Sequence, residues 1–254
     1  MINLTAHKAS YSKVHTDGQI TIPRELLSGD FAIRLRTYED MFYLASAVDA
    51  RNGEGKGVES LFISYLLGGR SDRRFVTGGS FDLRVICDFI NGLGFKYVQV
   101  FEPHSDVTMA LLRNSYVVNW KWWEAIPEGS IVVSPDAGAY KRLAPQAQMY
   151  RYKMISAIKH RSEDGSPEVH LLGDPEGKDC VIVDDLIDGG RTFIALAEQL
   201  LKNGASKVSL AAPHSLFSYG VDQLFDAGID HIYTTNSMRD FDTTDPRISV
   251  SNII

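Results

Sequence analysis

The run Val181-Ile182-Val183-Asp184-Asp185-Leu186-Ile187-Asp188-Gly189-Gly190-Arg191-Thr192 concentrates the groups best able to do chemistry in this chain. An apolar stretch ends on two adjacent carboxylates, and a third carboxylate precedes two glycines and the start of an amphipathic pattern. Glycines let the backbone fold tightly. A helix that begins there points free N–H groups and the positive end of its dipole at an enclosed anion. Thr192 adds a hydroxyl donor, and Arg191 adds a cation for a phosphate. Asp184 and Asp185, at the carboxyl end of a strand, are placed to hold sugar hydroxyls or a hydrated Mg²⁺. Elsewhere, Arg70-Ser71-Asp72-Arg73-Arg74 gathers cations before a helical pattern. His104 and Asp136 each follow an apolar run, and Lys159 and Arg161 flank His160.

Such residues need a scaffold that delivers them to one end of a sheet. Short apolar runs (SLFISYLL, YVQVFEP, SIVVSPD, CVIVDD, KVSLAAPH) alternate with stretches of helical periodicity. That grammar predicts βαβ units and parallel sheets flanked by helices. Phe81, Val85, Ile86, Phe89, Ile90 and Leu93 recur at spacings of three and four, which predicts a helix with those side chains on its buried face. A second helix is predicted from about Arg191 to Lys202, stopped by Asn203-Gly204, with a strand over Lys207–Ala212. The expected fold is therefore α/β with two similar Rossmann-like halves, 1–124 and 125–254. The boundary falls where KWWEAIPEGS interrupts the periodicity. The polar segment His160–Gly177 is expected to be a mobile loop or hairpin.

Taken in order, these motifs resemble those of the ribose-phosphate pyrophosphokinases, which share the type I phosphoribosyltransferase fold. The 181–192 run is similar to the phosphoribosyl diphosphate signature, and Arg70-Ser71-Asp72-Arg73-Arg74 to the family's Arg-Gln-Asp-Arg-Lys. Pro103-His104-Ser105 is similar to its Leu-His-Ala, and Ser134-Pro135-Asp136 matches its Ser-Pro-Asp. Thr16-Asp17-Gly18-Gln19 resembles its early Ser-Asp-Gly-Glu. The resemblance implies ATP binding by Arg70, Ser71, Asp72, Arg73, Asp17 and Gln19, the last two serving a neighbouring subunit. It implies Mg²⁺ held through His104 and Asp136, and catalysis by Lys159, Arg161 and His104. Asp184 and Asp185 would bind ribose hydroxyls, with Asp188, Gly189, Gly190, Arg191 and Thr192 around the 5-phosphate. The implied reaction moves the β,γ-diphosphate of ATP to the 1-hydroxyl of a ribose 5-phosphate group. ADP-ribose is the alternative acceptor, as in compact phage-encoded members linked to NAD rebuilding. A phosphoribosyltransferase is a further alternative, but it leaves Arg70–Arg74 and Lys159–Arg161 unused. A homo-oligomer, dimer or hexamer, is implied, and Val117–Trp123 is a candidate apolar contact patch, although its tryptophans also suit a core.

Composition narrows the partners. With 32 acidic against 26 basic residues the net charge is −6, which disfavours a nucleic-acid backbone or an anionic membrane surface. Cys87 and Cys180 sit in apolar runs, the setting of buried thiols, so neither a disulfide framework nor a zinc site is expected. No stretch reaches the roughly 18 apolar residues that span a bilayer, so a cytoplasmic protein is expected.

Overall fold

The computed structural model describes residues 1–11, 13–22, 29–161, 167–242 and 244–254. They divide into two compact units. The first comprises Met1–Trp120 with Ser237–Arg239 and Ile253–Ile254, and the second Lys121–Asn236 with Asp240–Asn252. The chain thus changes unit at Trp120/Lys121 and sends two short C-terminal pieces back to the first unit.

In the first unit the elements run β1 (Ile2–Asn3), α1 (Leu4–Tyr11), β2 (Lys13–Val14), β3 (Ile20–Thr21), β4 (Phe31–Leu35), α2 (Tyr38–Gly53), β5 (Ser60–Leu66), α3 (Asp82–Gly92), β6 (Tyr97–Phe101), α4 (Val107–Leu111) and β7 (Ser115–Val118). A sheet ordered β1-β4-β5-β6-β7 is parallel throughout, while β2 and β3 form a separate antiparallel ribbon. Strand β4 is buried at every position, as expected for a central parallel strand covered on both faces. Helix α2 is fixed at its start by a capping box: Asp40 N donates to Thr37 Oγ1, and the Asp40 carboxylate accepts from Thr37 N. Helix α3 keeps most of the face read in the sequence: Ile86 and Ile90 are buried, and Phe81, Phe89 and Leu93 pack against the core. Leu83, Ile86, Cys87 and Ile90 are its buried residues, whereas Val85 is 61% exposed. Leu83 and Cys87 form an i, i+3, i+4 set with Ile86 that omits Val85.

The second unit runs α5 (Trp122–Ala125), β8 (Ile131–Ser134), α6 (Ala137–Met149), β9 (Lys153–Arg161), β10 (Pro167–Leu172), β11 (Asp179–Val183), β12 (Leu186–Ile187), α7 (Arg191–Lys202), β13 (Lys207–Ala211), β14 (His214–Ser215), α8 (Asp222–Asp226), β15 (His231–Thr235) and β16 (Ile248–Ser251). Its main sheet is ordered β10-β9-β8-β11-β13-β15-β16, and only β10 is antiparallel to its neighbour. The polar segment after Lys159 is therefore a hairpin edge, with Lys159 opposite Val169 and Arg161 opposite Pro167. Residues 162–166 lie outside the described residues. Helix α7 buries Phe193, Leu196, Ala197 and Leu200 against the sheet, each large side chain contributing about 1.5–3 kcal/mol.

The tryptophans answer to packing. Trp120 and Trp122 are 6% and 2% exposed, and Trp122 Nε1 donates to Gln146 Oε1 at 2.6 Å. They belong to cores, so the apolar surface of Val117–Trp123 reduces largely to Val117 and the rim around Trp123. Cys87 and Cys180 are buried and free, and burial pushes their thiols up to about 12 and 11. Among the described residues no helix is long and apolar enough to cross a membrane.

Candidate functional site

In the second unit the strand order reverses between β8 and β11, and open α/β sheets bind ligands where strand order reverses, at the strands' carboxyl ends. Asp136 follows β8, and Asp184 and Asp185 follow β11. Asp136 caps α6, accepting from Ala139 N at 2.9 Å, and its side chain is otherwise exposed. Asp184 N continues the sheet to Ala211 O, and Asp185 O accepts from His214 N, so both backbones are held rigidly. Asp184 Oδ1 also accepts from Asp185 N at 2.9 Å.

Both carboxylates are half-buried. The Asp184 side chain is only 20% exposed, and burial together with the neighbouring Asp185 raises its pKa to about 7. Arg142 opposes that rise, its Nη2 lying 3.5 Å from Asp184 Oδ1. The sequence reading missed Arg142. The available signal was a basic pair, Lys141-Arg142, early on a helix whose cap is itself a candidate ligand. Asp184 carries more protons folded than unfolded between its unfolded value near 4 and about 7. Its protonation therefore favours the fold at low pH, and that stabilisation is lost as pH rises through about 7. Asp184→Asn should accordingly raise the melting temperature at pH 8 and have little effect at pH 4. The expected difference is on the order of 1–3 kcal/mol. Equal shifts at both pH values in a thermal denaturation series would refute the burial-driven assignment.

Following these carboxylates, β12 leads to the turn Asp188–Gly190. Gly190 is the N-cap of α7 in the left-handed region at φ 80°. Backbone N–H groups at a helix start, with the positive end of the helix dipole, suit an anion. The turn is buttressed from behind: Ser218 Oγ donates to Asp188 Oδ1, and Gln223 Nε2 donates to Gly189 O at 3.1 Å. Arg191 is exposed and Thr192 half-buried within the first turn.

The first unit gathers the other candidates at the carboxyl ends of β5 and β6. Arg70, Ser71, Asp72 and Arg73 lie between β5 and α3, and His104 and Ser105 lie between β6 and α4. Asp72 accepts from Arg73 Nε at 2.7 Å, Arg73 Nη2 at 3.0 Å and Ser105 Oγ at 2.7 Å. Its pKa is driven down to about 2, chiefly by Arg73, with Ser105 and His104 adding to the effect. Gly69 packs so close to the His104 loop that a Cβ on it would lie 3.2 Å from His104 Cβ. Just before His104, Glu102 is held at φ 42°, buried, with Oε1 accepting from Trp120 N at 2.6 Å. A non-glycine residue in that region is costly, and such strain concentrates beside functional groups.

The remaining candidates stand apart. Asp17 and Gln19 occupy the exposed turn between β2 and β3, where Gln19 N donates to Asp17 Oδ1 at 3.0 Å. The backbones of Lys159 and Arg161 belong to β9, and their side chains lie outside those described. His104 and Asp136 belong to different units. Among the described residues no three His, Cys, Asp or Glu side chains gather as a metal-binding group. The donor chemistry nonetheless suits Mg²⁺. That ion takes one or two carboxylates and completes its shell with water and substrate phosphates. Asp136 is an exposed carboxylate, and Asp184 and Asp185 form an acidic pair that a cation would relieve.

Comparison with known proteins gives this geometry a family. A family described as "Phosphoribosyl synthetase-associated domain" matches residues 134–245, the span holding α6, β11 and the Asp188–Gly190 turn. The ribose-phosphate pyrophosphokinase of Sulfurisphaera tokodaii is 28% identical over 89% of this chain and 83% of its own. That of Vibrio parahaemolyticus is 30% identical over 80% and 68%. The crystal structure of phosphoribosylpyrophosphate synthetase from Mycobacterium smegmatis superposes with a TM-score of 0.80 at 20% identity, over 95% of this chain and 85% of that one, which shows the shared fold. The chain belongs to the ribose-phosphate pyrophosphokinase family.

Proposed function

We propose that the protein transfers the β,γ-diphosphate of ATP to the anomeric hydroxyl of a ribose 5-phosphate group in a Mg²⁺-dependent reaction. The observation that carries this reading is the left-handed glycine turn that opens α7 at Gly190, following a half-buried pair of carboxylates at the point where strand order reverses. An anion fits the helix start, and the adjacent acceptors Asp184 and Asp185 suit the hydroxyls of a sugar carrying that anion. Relatives named ribose-phosphate pyrophosphokinase support the same assignment.

The bond between the α- and β-phosphates breaks, a bond forms between the anomeric oxygen and the β-phosphorus, and AMP leaves with a proton released from the hydroxyl. Little covalent work falls to the protein in such a transfer, and positioning and charge compensation dominate. Arg70 and Arg73 would hold the nucleotide phosphates. Asp184 and Asp185 would fix the ribose hydroxyls, which aims the anomeric oxygen, and the Asp188–Thr192 turn would anchor the 5-phosphate. Lys159 and Arg161 would meet the charge that develops on the moving diphosphate, and closure of the β9–β10 hairpin would exclude water as a competing acceptor. Mg²⁺, when bound through His104 and Asp136, would neutralise phosphate charge.

The test is mass spectrometry of products after incubation with Mg-ATP and either free ribose 5-phosphate or ADP-ribose. The expected result is AMP together with an acceptor gaining one diphosphate. Which acceptor is converted fixes the substrate. Formation of ADP instead, or release of inorganic diphosphate with neither acceptor modified, would refute pyrophosphoryl transfer.

A further inference from the structure

We propose that Asp72 is a positioning residue and not a nucleotide ligand: with Ser105 it clamps the arginine segment to the loop carrying His104, so that the two segments move as one body. The proposal rests on the nucleotide-side assignments above and adds the element that keeps them in register.

Both carboxylate oxygens of Asp72 are engaged. Oδ1 accepts from Arg73 Nε, and Oδ2 accepts from Arg73 Nη2 and from Ser105 Oγ. The side chain is 11% exposed. A carboxylate is an acceptor only, so it would repel the phosphates of ATP unless a cation stood between them, and here its lone pairs already face three donors. Asp72 therefore acts on the nucleotide through Arg73, fixing the plane of a guanidinium whose carbon also lies 6.0 Å from the Phe75 ring centroid. Nε and one N–H of Nη2 are committed to Asp72, which leaves Nη1 and the second Nη2 hydrogen to face a ligand.

The other half of the clamp is Ser105. Its Oγ donates to Asp72 and accepts from Val107 N at 3.3 Å in the first turn of α4, so one hydroxyl joins the arginine segment to the start of that helix. Two further contacts tighten the junction. Ser71 is pinned by Ser71 N to Gly68 O at 2.8 Å and Leu83 N to Ser71 O at 3.3 Å. Gly69 lets the same segment approach His104, since any larger residue would meet its Cβ.

Four proteins test the clamp: the unaltered chain, Ser105→Ala, Ser105→Thr and Asp72→Asn. Each is followed by steady-state kinetics, thermal melting and NMR of ¹⁵N-labelled histidine, with the His104 ring signals assigned from His104→Gln. Ser105→Ala should melt within about 2 °C of the unaltered chain. Its KM for ATP should rise about tenfold with the KM for the sugar phosphate unchanged, and the His104 signals should shift or broaden. Ser105→Thr, which keeps the hydroxyl, should restore both readouts. Asp72→Asn should perturb the His104 signals as Ser105→Ala does. Unchanged His104 signals in either Ser105→Ala or Asp72→Asn would overturn the proposal, as would failure of Ser105→Thr to restore them. If the unaltered chain forms no diphosphorylated sugar, the transfer reaction has failed, and the His104 spectra still decide the clamp.

Discussion

Lys159→Ala is expected to lower kcat at least 100-fold while changing the KM for ATP and for the sugar phosphate by less than about threefold. A cation that meets the diphosphate in flight is worth most when that group is most negative, so its loss is felt in turnover and little in ground-state binding. The backbone around it should tolerate the change. Position 159 lies within β9, paired with Val169 across an antiparallel edge, and alanine there leaves the ladder hydrogen bonds intact. Arg161, two positions further along the same strand, should show the same split in a parallel assay. Unchanged kcat with a raised KM would remove Lys159 from the chemical step. The same variant also tests whether one site draws on two chains. The turn containing Asp17 is exposed, and its resemblance to the family segment implies a role in a neighbouring subunit's nucleotide site. Asp17→Ala and Lys159→Ala, each deficient alone, should then regain activity on mixing, since some sites would combine an intact Asp17 with an intact Lys159. No recovery despite subunit exchange demonstrated by native mass spectrometry would show that each chain works alone.

What the sequence disclosed follows from how local each feature is. The strand, the acidic turn, the glycines and the helix that make up 179–202 are contiguous, and each step has its own signature: an apolar run, a left-handed position, then a 3.6-residue stripe ending at Lys202. Alternation of strands and helices likewise announced parallel sheets. Features that depend on distant pairs were not legible. Arg142 meets Asp184 across 42 residues, and nothing near either position says that α6 will present its basic side chain to the end of β11. The burial that raises the Asp184 pKa has the same origin. Asp72 reads as one more charged residue in a basic run until Ser105, 33 positions away, is placed against it. On α3 the periodicity placed most of the buried face and missed in detail, because Val85 and Leu83 are both apolar and only the sheet beneath selects between them.

Gly190→Ala should abolish sugar-phosphate binding and destabilise the fold together, because both depend on one backbone geometry. At φ 80° a residue with a Cβ pays on the order of 1 kcal/mol or more. That Cβ would also lie 2.9 Å from Leu224 Cδ2 and 3.6 Å from Gln223 Nε2, against the segment that buttresses the turn. Leu224 is 1% exposed and belongs to the core under α7, so it has little room to yield. The expected loss of stability is about 2–4 kcal/mol by urea denaturation, with affinity for ribose 5-phosphate down at least 100-fold by calorimetry. Gly189→Ala supplies the contrast that separates strain from simple bulk. Its Cβ would lie 3.0 Å from Tyr219 Cε2, but Tyr219 is 69% exposed and can swing into solvent, so stability should change by under about 1 kcal/mol. If Gly190→Ala bound the sugar phosphate as tightly as the unaltered chain, the N-terminus of α7 would not be the phosphate site. If Gly189→Ala were the more damaging of the two, the rigidity of the turn would reside in Tyr219 and not in the left-handed cap.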